Sequence, residues 1–306
     1  MTVKRDFLVS EVNTLKQLLS DLPEENIIER LSLKSRLASV EMQLSKQTST
    51  EPQKVNLTFR GKPVVGSHGI GADFGSKAAG AFAEAFSAIV AALNYNLQSA
   101  GPIPNRDRSQ LLITGTAVGS FGFEFELPSS EPDLFPENQG YEALKKIEAL
   151  FRLSAKGTDD DIAEVVEEIH PRAVKKVHEF LDYLVQQKAW CGLSYADHAF
   201  RYSNFDEIKR ASDSLKDDNI QESYEDYQGV FQGVLPSSRA FEFLVNNDKD
   251  LIKGKIDFAI EEPRVLNEKW LNKPVQLKLR LMQVGQGRPR YTLMSMDDVI
   301  EISDVS

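Results

Sequence analysis

Two runs near the C-terminus alternate apolar and polar side chains with a period of two. In the first, Ile252, Ile256, Phe258 and Ile260 alternate with Lys253, Lys255 and Asp257; in the second, Val275, Leu277, Leu279 and Leu281 alternate with Gln276, Lys278 and Arg280. Successive side chains of a strand point to opposite faces, so each run presents one face to a core. Two further extended runs, 227–235 and 239–245, come before them, with Pro236-Ser237-Ser238 and Asn246-Asn247-Asp248 as connections. A short helical segment at 263–271 separates the alternating runs, and Gly285-Gln286-Gly287 turns the chain into a last strand from Arg290. Three strands, a helix and two strands is the order of an OB-like small β-barrel, and SH3-like barrels share much of it. The module is expected over 220–306.

At the other end, Phe7, Leu8, Val12, Leu15, Leu18 and Leu19 form a stripe on a helix over 5–21. Leu33, Leu37, Val40 and Leu44 do the same on a second helix ending near Lys46. Between them, Asp21-Leu22-Pro23-Glu24-Glu25 stops one helix and starts the next; proline suits a first helical turn and glutamates suit the positive end of the helix dipole. The spacing predicts an antiparallel helical hairpin over 1–50. Its narrow stripes need the protein body or another subunit to cover them. Residues 47–52 read as a polar linker.

Residues 51–139 read as a ββαββ sheet-plus-helix module. Val55, Leu57 and Phe59 alternate as a strand, and a Gly61-Lys62 turn leads to a short extended Pro63-Val64-Val65. Gly66-Ser67-His68-Gly69-Ile70-Gly71 then opens a helix to about Gln98 that is apolar almost all round, which marks a covered central element. Its charge-poor part, 78–93, is shorter than the ~20 residues needed to cross a bilayer and contains Glu84, so a buried helix with no membrane partner is expected. Strands at 111–118 and 121–127 meet at a Gly119-Ser120 turn, with Phe121, Phe123, Phe125 and Leu127 on one face. Residues 140–219 read as a helical region, in which 189–203 has an extended character. The fold class is α+β.

Charge excludes some functions and permits others. The net charge is −10, with balances of 0, −3, −4 and −3 over the four segments, so nucleic-acid binding can rest only on a local patch. The single cysteine, Cys191, excludes an intrachain disulfide and a multi-cysteine metal site. The N-terminal residues lack the apolar run of a signal peptide, and a cytoplasmic location is expected.

Three groups of residues invite a chemical reading. Gly66, Ser67, His68, Gly69 and Gly71 stand between a strand and a helix N-terminus, where free amides can hold a phosphate. Gly71-Ala72-Asp73-Phe74-Gly75-Ser76-Lys77 departs from a P-loop, because the lysine follows serine. Glycines that let the chain turn beneath a packed helix explain the cluster equally. Lys273, Lys278, Arg280, Arg288 and Arg290, with Tyr291, form a cationic stretch free of acids, suited to single-stranded nucleic acid or an acidic protein on a barrel. A solvated strand face is the plainer reading. Asp159-Asp160-Asp161 reads as a helix cap.

The four histidines, His68, His170, His178 and His198, lack metal-ligand spacing, and no nucleophile–base pair is legible. The sequence thus points to a non-enzymatic interaction or regulatory protein, needing no cofactor or metal and acting through its terminal modules. Residues 1–50 are expected to contact a second copy or a protein partner, and 273–291 are the place for nucleic acid. The alternatives are a nucleotide- or phosphate-dependent enzyme using the Gly66–Gly75 loop, and single-strand binding by the barrel.

Overall fold

The computed structural model describes residues 2–22, 26–46, 53–94, 97–117, 121–127, 139–246 and 250–302. The expected turn at Pro23, the 47–52 linker, the Gly119-Ser120 turn and the Asn247-Asp248 connection lie outside the described residues. The chain divides into two compact units, Met1–Gln53 and Lys54–Ser306.

In the first unit, α1 (Thr2–Asp21) and α2 (Ile27–Lys46) run antiparallel. Arg30, near the start of α2, donates to the carbonyl of Leu22 at 2.9 Å, while Arg36 farther along donates to Glu11 at 2.6 Å. Val12, Leu15 and Val40 are buried together, with Leu33 and Leu37 against them. Leu18 and Leu31 stay 45% and 65% exposed, since two helices cover only one stripe each.

The second unit is built around a five-stranded antiparallel sheet. Its order is β4 (Leu112–Thr116), β5 (Gly122–Glu126), β1 (Lys54–Gly61), β6 (Ala189–Tyr195) and β7 (His198–Arg201). The ββαββ expectation is corrected here. The segment after Gly61 forms β2 (Val64–Val65), which pairs only with β3 (Gly69–Ile70). The strand beside β1 is instead β6, so residues 140–219 supply two strands of the sheet as well as helices. The physical reason is the backbone of β1: with Val55, Leu57 and Phe59 fully buried, its amides and carbonyls need ladder partners on both sides.

One face of this sheet is covered by α3 (Ala72–Leu93), α4 (Gln139–Lys156), α6 (Pro171–Gln186) and α7 (Phe205–Ser214). Phe59 meets Phe74 edge-on at 5.4 Å, Phe82 meets Phe125 at 5.7 Å, and Phe151 stacks on Phe180 at 5.9 Å. The α3 helix is long and apolar enough to cross a membrane by length and composition, yet 56% of its apolar window is buried inside the fold. At Gly75 a Cβ would stand 3.2 Å from the Phe123 ring and 3.3 Å from Ile70, a tight contact that glycine avoids.

The C-terminal part is a closed five-stranded barrel, consistent with the OB-like expectation. β8 (Ile220–Leu235), β9 (Ala240–Val245) and β10 (Leu251–Ile256) pair in sequence, α8 (Arg264–Trp270) follows, and β11 (Pro274–Val284) and β12 (Arg290–Leu293) complete the ring. Closure comes from a parallel β10–β12 ladder and antiparallel β11–β12 and β11–β8 ladders. A short β13 (Val299–Glu301) adds to the start of β11. Phe231, Phe241, Phe243, Val275, Leu277 and Leu279 fill the interior. Asn267 of α8 accepts the Val234 N–H at 2.7 Å and donates to the Val234 carbonyl at 3.1 Å, just past the bulge of β8 and beyond the end of its ladder with β11.

The alternation read along β11 does not continue to Leu281. Val275, Leu277 and Leu279 face the barrel core, but beyond them Met282 and Val284 are the buried residues, and they belong to the large core of the helices and sheet. The strand leaves one core and enters another, so its opposite face becomes the buried one. Barrel and sheet accordingly belong to one compact unit.

Candidate functional sites

The glycine loop is a tight hairpin leading into α3. Gly66 adopts φ +56°, a left-handed conformation that favours glycine. The His68 amide donates to Val65 at 3.0 Å, and the Gly71 amide donates to Pro63 at 2.9 Å. These amides are turned into the loop's own backbone, and Asp73 stands in the first turn of α3, where its charge already complements the dipole. Gly66, Ser67 and His68 lie exposed at the tip. A Cβ at Gly69 would meet no atom, so that glycine is not demanded by space.

The cationic stretch lies partly against α5 (Asp159–Glu167) of the same unit. Of the three aspartates only Asp161 caps α5: it accepts from the Thr158 amide at 2.8 Å, and Thr158 accepts from its amide at 3.3 Å. That cap holds the Asp161 carboxyl below its usual range. Asp159 accepts the Gln286 amide at 2.9 Å, and Asp160 accepts the Arg288 amide at 2.8 Å. The expectation that all three acids cap their own helix is thereby corrected: the carboxylates of Asp159 and Asp160 accept amides of the glycine turn at 285–288. Arg290 donates to the Asp160 carbonyl at 3.3 Å, and Lys255 lies 3.3 Å from Glu167.

The remaining cations differ in availability. Lys273 pairs with Glu301 at 3.5 Å, Lys278 sits 5.8 Å from the centre of the Tyr224 ring, and Arg288 is highly exposed. Arg280 is half-buried, and its Nε has no hydrogen-bond partner among the described residues. Tyr291 packs edge-on against Tyr227 at 5.8 Å.

A third constellation was not singled out from sequence. Glu148 lies on the inward side of α4, 7% exposed, and its Oε2 accepts the Tyr195 hydroxyl at 2.7 Å. The same oxygen is 3.2 Å from His198 Nδ1, and Oε1 is bound by Arg152. Burial pushes this carboxyl up, but the bonds from Tyr195 and Arg152 and the His198 ring more than offset it, leaving it below the usual range. An ionised carboxylate can only accept, so the His198 contact is a hydrogen bond when Nδ1 carries a proton. Burial and the Glu148 bond push the Tyr195 phenol up, keeping it a donor.

Tyr195 and His198 are opposite partners across a two-residue turn, and their rings stack at 5.0 Å and 7°. Ala196 in that turn has φ +44°. Two clues were legible: a glutamate among the buried Leu144, Ile147 and Phe151 of a helical stripe, and a Tyr-x-x-His spacing across a tight hairpin. Among the described residues no hydroxyl or thiol is bonded to Nε2, and no group of three potential metal ligands occurs. The cluster clamps the β6–β7 turn to α4. Cys191 is buried, and burial pushes its thiol up, the state of a packed side chain.

The sheet ends on β4, whose outer side is unpaired among the described residues. Leu112 and Ile113 are 51% and 57% exposed there. The strand carries no charge and no proline, the usual guards of an edge, although it bulges between Ile113 and Gly115. Comparison with known proteins found no matching family model, curated protein or solved structure.

Proposed function

We propose that this chain is a non-enzymatic interaction protein that takes a protein partner, with the β4 edge as its principal contact and the N-terminal hairpin as a second. The single observation behind the reading is the pair Leu112 and Ile113, large, apolar and exposed on a strand with an open backbone edge. Such an edge accepts an added strand, gaining main-chain hydrogen bonds along its length. Exposed Leu18 and Leu31 give the hairpin a similar unmet surface. A cytoplasmic site of action fits the lone, buried Cys191.

The two alternatives have less behind them. A phosphate site at Gly66–Gly71 would compete with amides already bonded within the loop and with Asp73. A nucleic-acid site at 273–291 would compete with Asp159, Asp160 and Glu167.

The test is a photo-reactive amino acid placed at Leu112 in the full chain, irradiated in the producing cells. The expected result is a discrete protein adduct that disappears when Ile113→Lys is added, with none from the same probe at the exposed barrel residue Leu235. No adduct at 112, or an identical pattern at 235, rejects the reading.

A further inference from the structure

We infer that the first half of β8 is a further docking edge, which takes an extended basic segment of a partner protein as an added strand. β11 pairs with β8 from Ile220 to Val230. β9 covers the other side of β8 only from Gly229 to Leu235, so that side is open over 221–227 among the described residues. Every residue from Gln221 to Asp226 is exposed, although successive side chains point to opposite faces. Both faces and one backbone edge are therefore uncovered, the situation in which an added strand gains main-chain hydrogen bonds.

Hydrogen-bond parity identifies the free backbone groups. Phe231 turns towards β11, donating to the Lys273 carbonyl at 3.0 Å and accepting the Asn272 amide at 2.7 Å. Gln228 turns the other way, accepting the Asn246 amide at 3.0 Å just past the end of β9. Backbone groups alternate sides along a strand, and the register with β11 is unbroken from Ile220 to Val230. The amides and carbonyls of Glu222, Tyr224 and Asp226 accordingly point to the open side. Their side chains share one face, so an added strand sets its own side chains beside them.

Charge selects the occupant. Glu222, Glu225 and Asp226 form no ion pair among the described residues, and Glu225 only accepts the Tyr227 hydroxyl at 2.7 Å and the Ser223 hydroxyl at 3.4 Å. The cations on the same face as Glu222 and Asp226 stand one strand in, Lys278 opposite Asp226 and Arg280 opposite Tyr224. Lys278 sits 5.8 Å from the centre of the Tyr224 ring, and Arg280 is half-buried. An added strand lies about 4.8 Å from β8 and about twice that from β11, so it meets the acids first. Basic side chains four positions apart fit beside Glu222 and Asp226, with the residue midway between them against Tyr224, which is 58% exposed. A second copy would bring the same acids to the edge and be repelled. The β4 edge carries no charge and has no such attraction for a basic segment, so the two edges take different partners.

The experiment uses the full chain and a fluorescein-labelled peptide alternating lysine and threonine, followed by fluorescence anisotropy at low salt. Saturable binding is expected, weakening as salt rises, with none from the peptide that has glutamate in place of lysine. N-methylation of every peptide amide keeps the charge and removes the donors, and should weaken binding about tenfold or more. Glu222→Gln combined with Asp226→Asn should weaken it several-fold at an unchanged melting temperature, since both residues are exposed. Hydrogen exchange gives the place: the peptide should slow the amides of Glu222, Tyr224 and Asp226 and leave those of β4 unchanged. Absence of saturable binding overturns the inference. Binding that survives N-methylation undiminished, or that ignores the double variant, overturns it as well, because charge alone would then hold the peptide or hold it elsewhere. Protection confined to other strands does the same.

Discussion

Asp159 Oδ2 accepts the backbone N–H of Gln286 at 2.9 Å, so the first acid of α5 caps a turn of the barrel and not its own helix. Gly285, next to that amide, has φ +52°, and a Cβ there would overlap the Asp159 carboxylate. Gly285→Ala is therefore expected to destabilise the protein by about 1–3 kcal/mol, from left-handed strain together with the clash. Asp159→Ala in the same chain should recover the clash part only. Urea unfolding of the two single variants and the double variant measures the coupling, and strict additivity would show that the two residues do not meet.

Lys278 and Arg280 share the outward side of β11 but have different surroundings. Lys278→Glu on an exposed strand position should move stability by no more than about 0.5 kcal/mol. Arg280→Glu should cost more, because its Nε is buried where the strand passes from the barrel to the central core. Equal melting temperatures for the two variants would place Arg280 in solvent.

Histidine burial gives a pH dependence with a definite sign. Burial, then the Arg172 and Arg280 charges, lower the pKa of His170, and burial lowers that of His178; the reference value is 6.5. The unfolded chain therefore binds protons more readily than the folded one. This stability is present above about pH 6.5 and is lost as pH falls towards the depressed folded values. His170 Nδ1 also caps α6 by accepting the Arg172 amide at 3.2 Å, a bond that protonation removes. His170→Asn keeps an acceptor without a titration in this range, so its melting temperature should fall less between neutral pH and pH 5.5 than that of the wild type. An unchanged slope contradicts the assignment.

Glu148 should reveal itself in the acid limb. Its folded pKa lies below the reference 4.5, so its contribution is full above that value and disappears as pH drops through the folded pKa. Glu148→Gln should cost about 1.5–3 kcal/mol at neutral pH, the range for hydrogen bonds to a charged group, and make the acid limb shallower. The same variant frees His198 Nδ1 from a fixed acceptor, which ¹⁵N chemical shifts of the ring would register as a change in tautomer balance. An unaltered tautomer shows that Glu148 does not orient the ring.

The barrel was legible because β10, and β11 as far as Leu279, alternate buried and more exposed residues, and its helix falls between the third and fourth strands. The limit of that reading was Leu281: periodicity specifies which residues share a face, but not which core the face meets, and β11 serves two cores. The central sheet was half legible. Val55, Leu57 and Phe59 announced β1, whereas β6 lies past four intervening α-helices, and a mixed run such as Ala-Trp-Cys-Gly-Leu-Ser-Tyr names no partner strand. The Glu148 cluster escaped for a related reason, since its members meet only when α4 packs on a hairpin 47 positions away. Exposure of Leu112 and Ile113 is likewise a property of the sheet's order, visible only once β4 is known to stand at its edge.

Hydrogen exchange of the β4 amides tests the partner-binding account most directly. The full chain would be compared dilute, concentrated, and in extract of the producing cells. The account predicts that the amides of Leu112–Thr116 gain protection in the concentrated sample or in the extract, that Ile113→Lys abolishes the gain, and that His198–Arg201 at the opposite edge stay unchanged. Protection of β4 that is the same in all three conditions, or a gain shared equally by both edges, contradicts it.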